Sequence, residues 1–170
     1  MDAGKAGEIG TYIVFPSGLY GEGVGPTNPL RVIQLIFREK AKELGFVPYV
    51  GDGSSTFNSL HVKAVTPFMM LVLDLALREE IPQESVYERC FLIGRKELLW
   101  KVASNAFARA LHAEGLASSP EAQSVTQEGA GQGELPMLMA SNMRFVSPRA
   151  EKLGYKNEEM DLVECLGQAN

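Results

Sequence analysis

The chain has 170 residues, 45% hydrophobic and 22% charged, the make-up of one soluble globular domain able to bury a single core. Its formal net charge of -5, with no Lys/Arg run interleaved with aromatics, argues against a broad basic face for nucleic acid. Cys90 and Cys165 stand far apart without metal-ligand spacing, so neither a disulfide scaffold nor a metal site is expected. The segment after Met1 has no signal-peptide core, and the apolar run 67–77 is interrupted by Asp74 and too short to span a bilayer. The expectation is one cytoplasmic domain over 1–170, away from membranes.

In chain order, Thr11-Tyr12-Ile13-Val14-Phe15 reads as a buried strand that Pro16 ends, since proline cannot donate to a ladder. A glycine-rich loop over 16–26 follows. Asn28 as N-cap and Pro29 at the first helical position start a helix with Leu30, Ile33, Ile36 and Phe37 at helical spacing. Gly45 is its stop. Val47-Pro48-Tyr49-Val50 is a second strand, turned by Gly51-Asp52-Gly53, and 57–62 is a third. Thr66 and Pro67 repeat the cap-plus-proline device and open a helix to about Arg78, apolar on most sides and so expected to be largely buried. The stretch 87–93 reads as a strand closed by Gly94. A long amphipathic helix is expected next, with Leu98, Leu99, Val102, Ala103, Ala106, Phe107, Ala110 and Leu111 on one face and Gly115 at its end. Residues 118–134 turn to Ser, Gln, Gly and Glu and read as a flexible loop. Helical patterning returns around 147–153. Strands alternating with helices make this an α/β chain, with a few short, mostly parallel strands and a sheet that looks incomplete.

Four motif blocks then share one resemblance. Phe15-Pro16-Ser17-Gly18-Leu19-Tyr20-Gly21-Glu22-Gly23 resembles the P-x-x-x-Y-G-x-G loop of extended short-chain dehydrogenases/reductases. The helix from Asn28 runs, as in that family, into a Tyr49-Val50-Gly51-Asp52-Gly53 turn. Phe57-Asn58-Ser59-Leu60-His61-Val62 is similar to its W-x-x-V-H-V segment, and Ser141-Asn142-Met143-Arg144 with Arg149-Ala150-Glu151-Lys152-Leu153-Gly154-Tyr155 to its terminal S-N-x-R…R-A-x-x-L-G-W. The likeness is nearest to NAD-dependent epimerase-like and NmrA-like members, fungal ones above all. It implies a truncated fold that holds the substrate-binding half alone, with no cofactor-binding residues of its own. Gly21-Glu22-Gly23-Val24-Gly25-Pro26 sits in the wrong place for the family's dinucleotide fingerprint, and Pro26 replaces its last glycine. The family's Tyr-x-x-x-Lys pair, in which an ammonium lowers the phenol's pKa for proton transfer, is absent as well. Four residues after Tyr12, Tyr20, Tyr49, Tyr87 and Tyr155 stand Pro16, Val24, Gly53, Phe91 and Glu159. Lys63 and Ala64 stand where members often place acids that cap the next helix, which leaves Thr66 to cap it.

The resemblance implies that Pro16, Ser17, Gly18 and Leu19 line a substrate cleft, with Tyr20 as a phenolic donor. His61, on a strand entering that cleft, is the second catalytic candidate, although a hydrogen-bonded structural histidine fits it too. Arg31, Asn58 and Arg144 complete the substrate-binding set; surface pairing with acids is the simpler reading of both arginines. Asp74 and His112 read as structural. Two function classes follow. One is a small-molecule-binding, non-redox protein, with cyclase, isomerase or lyase chemistry in secondary metabolism if it is an enzyme. The other is a pseudoenzyme or accessory subunit, completed by a second copy or a partner that covers the exposed sheet edge. NAD(P) is expected only where such a partner supplies the dinucleotide half, and a fragment of an NAD(P)-dependent oxidoreductase or epimerase is a third reading.

Overall fold

The apolar run that Pro16 ends forms β1 (Ile13–Pro16), and it pairs in parallel with β5 (Cys90–Ile93), Phe15 opposite Leu92. The computed structural model describes residues 9–23, 29–81, 85–95, 97–156 and 158–168, with the backbone alone at 29–32, 86 and 168. Within the segment read as a loop lies β2 (Gly18–Tyr20), parallel to β4 (Thr56–His61). On its other side β4 pairs antiparallel with β6 (Glu97–Leu99). A third small sheet joins β3 (Pro48–Val50) in parallel to β7 (Gln123–Val125). The architecture is α/β with short, mostly parallel strands, as the alternation of elements implies.

The helix α1 (Pro29–Leu44) stops at Gly45, whose φ of 79° is the left-handed conformation that glycine adopts without a Cβ penalty. Asn28, read as its cap, lies outside the described residues. The helix α3 (Trp100–Ala113) stacks Phe107 on Phe37 of α1 at 4.0 Å between ring centroids, and Trp100 on Phe57 of β4 at the same distance. Around these rings Leu111, Met139 of α4 (Glu134–Met139), and Leu162 and Leu166 of α6 (Leu162–Gln168) close the larger core. A second core places α2 (Val65–Leu77) against Leu60, Phe91 and Ile93, with Ala150 of α5 (Pro148–Lys152) beneath.

Five sequence expectations are corrected. Only Phe68 and Val72 of α2 are buried; Met69 is 54% and Leu77 76% exposed, so the helix covers one side of β1–β5 and turns an apolar face outward. Thr66 does not cap α2. The chain enters it through a 3₁₀ turn over Val62–Ala64, capped by His61, whose Nδ1 accepts from the Lys63 N–H at 3.2 Å. Residues Val86–Arg89 form another 3₁₀ turn instead of extending β5, because Ser85 and Glu88 make a reciprocal capping box. Leu98 and Leu99 belong to β6: the register that sets Phe57 against Leu98 and the Trp100 N–H on the Ser55 carbonyl hold them extended. The segment 118–134 carries β7, whose polar Gln-Ser-Val sequence shows no strand signal.

Candidate functional site

Tyr20 ends β2 and is 1% exposed, its hydroxyl donating to the Met160 carbonyl at 2.6 Å. Burial pushes the phenol up to about 12, Arg95 working against the shift and Asp161 and Cys165 with it. Its ring meets the His61 imidazole edge-on at 5.3 Å, so the two residues expected to be catalytic do come together. The His61 ring lies over Gly21, where a Cβ would fall 2.1 Å from Nε2; no side chain fits there, and the φ of 88° suits glycine as well. Because Nδ1 accepts from Lys63, the assigned tautomer carries its proton on Nε2. Burial lowers the His61 pKa, while the Glu159 carboxylate, 3.9 Å from Nδ1, acts in the opposite direction and is outweighed. The pair is therefore not an ion pair at neutral pH.

Arg95 follows β5, donates from its guanidinium to the Glu159 carbonyl, and anchors its own N–H on Ser59 at 2.8 Å. Tyr20, His61 and Arg95 thus converge on residues 159–161, which lead into α6.

Beside this cluster, outside the carboxyl end of β5, opens a cleft of about 460 Å³ lined by Asn58, Arg95, Glu97, Phe145, Ser147 and Glu151, among others. In open α/β sheets this end of the strands is where ligands bind. Asn58, buried on β4, donates from Nδ2 to the Arg95 carbonyl at 2.6 Å and accepts from the Phe145 N–H at 2.9 Å, tying both walls together. Gly94 forms the floor. A Cβ there would lie 2.8 Å from the Phe145 ring and 2.9 Å from the Ser17 hydroxyl.

Of the other expected site residues, Pro16 ends β1 opposite Ile93, and the Ser17 N–H bonds the Ile93 carbonyl at 2.9 Å. The Ser17 hydroxyl is buried without a hydrogen-bond partner among the described residues. Gly18 and Leu19 pair with Ser59 and Leu60, so they form a strand and not a ligand-facing loop. Arg144 is exposed with its guanidinium 3.7 Å from Glu97, and the side chain of Arg31 lies outside the described residues. Arg95, Glu97, Phe145, Ser147 and Glu151 escape the sequence reading. Arg95 had a usable signal, being two residues past the apolar run of a parallel strand; the rest reach the cleft from turns without one.

No family model matches the chain. No curated protein matches it either. Solved structures do. An epimerase from Methanothermobacter thermautotrophicus superposes with a TM-score of 0.61 at 15% identity, covering 98% of this chain and 44% of that one. A nucleoside-diphosphate-sugar epimerase from Pseudomonas aeruginosa gives 0.59 at 19% identity, over 99% and 49% of the two chains. In fold, the chain matches part of an epimerase-type short-chain dehydrogenase. A dTDP-glucose 4,6-dehydratase from Bacillus anthracis, solved with NAD, agrees at a TM-score of 0.52 and 15% identity, covering 91% of this chain and 41% of that one. The chain therefore spans less than half the length of each of these three. Among the described residues no group of His, Cys, Asp and Glu could hold a metal ion, and no helix is long and apolar enough to cross a membrane.

Proposed function

We propose that these residues form the substrate-binding side of an epimerase-type fold and hold a small polar molecule in the cleft beyond β5. The observation that carries this reading is the cleft itself, which lies where α/β sheets take ligands and whose two walls Asn58 joins. The fold neighbours lend it support, since two of them are named for nucleotide-sugar chemistry. The role assigned to the chain's own residues is binding and orientation, not hydride transfer, because no tyrosine is followed four residues later by lysine. Any turnover by this chain alone is then of the isomerase, cyclase or lyase kind. Tyr20 and His61 act in this reading as the wall behind the cleft, since the phenol is engaged by Met160.

Titration of ¹⁵N-labelled protein with NADH, NADPH and a set of sugars tests the proposal. The expected result is sugar-dependent shifts at the Gly94, Arg95, Phe145 and Ser147 amides and none with the dinucleotides. Tight dinucleotide binding to the isolated chain would overturn it.

A second reading, an accessory unit completed by another polypeptide, is favoured by a separate observation. Strand β1 has β5 on one side and, among the described residues, no paired neighbour on the other, and Phe15 and Leu92 lie exposed side by side on the sheet face away from α2. Parallel strands are ordinarily covered on both faces, so the occupant proposed here is a parallel α/β unit adding a strand along β1. Light scattering of wild type and Phe15→Lys separates the outcomes. A monomer in both disfavours a second copy of this chain as the cover, whereas a wild-type dimer dissociated by the substitution identifies it.

A further inference from the structure

The cleft beyond β5 has an unusual balance of groups for a relative of nucleotide-sugar enzymes. Its one described cation, Arg95, is drawn away: the guanidinium donates to the Glu159 carbonyl and lies against the Tyr20 phenol. Both polar ends of Asn58 are spent on backbone partners. The groups left to meet a ligand are two carboxylates, one of them partly engaged, and a hydroxyl. Glu97 Oε2 accepts from the Thr56 hydroxyl at 3.3 Å and lies 3.7 Å from the Arg144 guanidinium, which leaves Oε1 for a ligand. Glu151 has no ion-pair partner among the described residues. Ser147 is nine-tenths buried, lines the cleft, and its side chain makes no hydrogen bond among the described residues. Phe145 supplies an apolar wall.

A diphosphate brings only acceptors and negative charge, so it would meet two carboxylates, with Arg95 held on the Glu159 carbonyl and Arg144 already beside Glu97. A molecule that donates hydrogen bonds and carries positive charge meets complementary partners at each point. The Phe145 ring suits the apolar face of a sugar-sized ring. Resting on the proposed binding role of this cleft, we infer that it takes a small hydroxyl-rich molecule bearing an ammonium group, of the amino-sugar class, and rejects nucleoside diphosphates. The ammonium sits between Glu97 and Glu151, and Ser147 accepts from or donates to a ring hydroxyl.

The test uses three probes on the same chain, followed by amide shifts: glucosamine, glucose and UDP-glucose. A charge contact this exposed adds a modest factor, so glucosamine is expected to bind about fivefold more tightly than glucose. That advantage should vanish in Glu151→Gln and shrink in Glu97→Gln, both exposed positions whose spectra should otherwise match wild type. UDP-glucose should leave the cleft amides unmoved. Shifts at those amides with UDP-glucose and not with glucosamine would keep the cleft as a binding site and overturn the amine-bearing class. Equal binding of glucose and glucosamine would also overturn it. Silence from all three probes would overturn both this inference and the binding role on which it rests.

Discussion

Replacing Gly21 with alanine gives a sharp measure of how tightly His61 is packed. Two effects add. Alanine at a φ of 88° is strained by about 1–2 kcal/mol, and its Cβ would fall 2.1–2.6 Å from three atoms of the imidazole ring. Forcing the ring aside is an overpacking event of about 1–3 kcal/mol. Gly21→Ala should therefore destabilise the protein by about 2–5 kcal/mol. Gly45→Ala supplies the control, since its φ is 79° and nothing lies within 4 Å of the added Cβ. It isolates the backbone part, about 1–2 kcal/mol. Urea unfolding of both variants, with unchanged m, reads the difference directly. Adding His61→Ala completes a cycle in which the excess at Gly21 should largely disappear. Equal losses at Gly21 and Gly45 would refute the contact between Gly21 and His61.

Three further outcomes follow from the same cluster. His61 has a folded pKa below its ordinary value of 6.5, so the unfolded chain binds the extra proton first. Its contribution is full above that value and lost as the pH falls through the folded pKa; urea midpoints should drop between pH 7 and 5, and less steeply in His61→Asn. Absorbance titration should show one phenol ionising at about 12, and that step should be missing in Tyr20→Phe. Asn58→Ala orphans the Arg95 carbonyl and the Phe145 N–H together, a loss of about 2–4 kcal/mol by denaturant unfolding, and it should broaden the Phe145 amide signal.

The fold class was legible because punctuation and periodicity agree where the elements are long. Pro29, the spacing through Phe37, and Gly45 bound α1 from sequence, and the strand read over 57–62 ends within a residue of β4 as observed. Short strands were not legible. Gly18-Leu19-Tyr20 looks like a turn, and only pairing to Ser59, Leu60 and His61 makes it a strand. Leu98 and Leu99 fit a helix by spacing alone; the cross-strand partner Phe57 decides otherwise. For α2, high hydrophobicity says that a face wants cover but not whether this chain supplies it. The meeting of Tyr20 with His61 follows from adjacent parallel strands, whereas their closure by residues 159–161 depends on contacts spanning most of the chain.

That closure has a consequence for how the protein comes into being. The Tyr20 hydroxyl and the Met160 carbonyl are 140 residues apart, so on a ribosome moving at ~5–20 residues per second the phenol waits roughly 7–28 s for its acceptor. Through that interval β2 and the end of β5 can pair with their neighbours, but Tyr20 and Arg95 have no strap to hold. The aromatic core is likewise open on the side that Leu162 and Leu166 will fill. The nascent chain is thus a vessel whose stopper is made 140 residues after the phenol it holds, and a stall before Met160 leaves it uncorked.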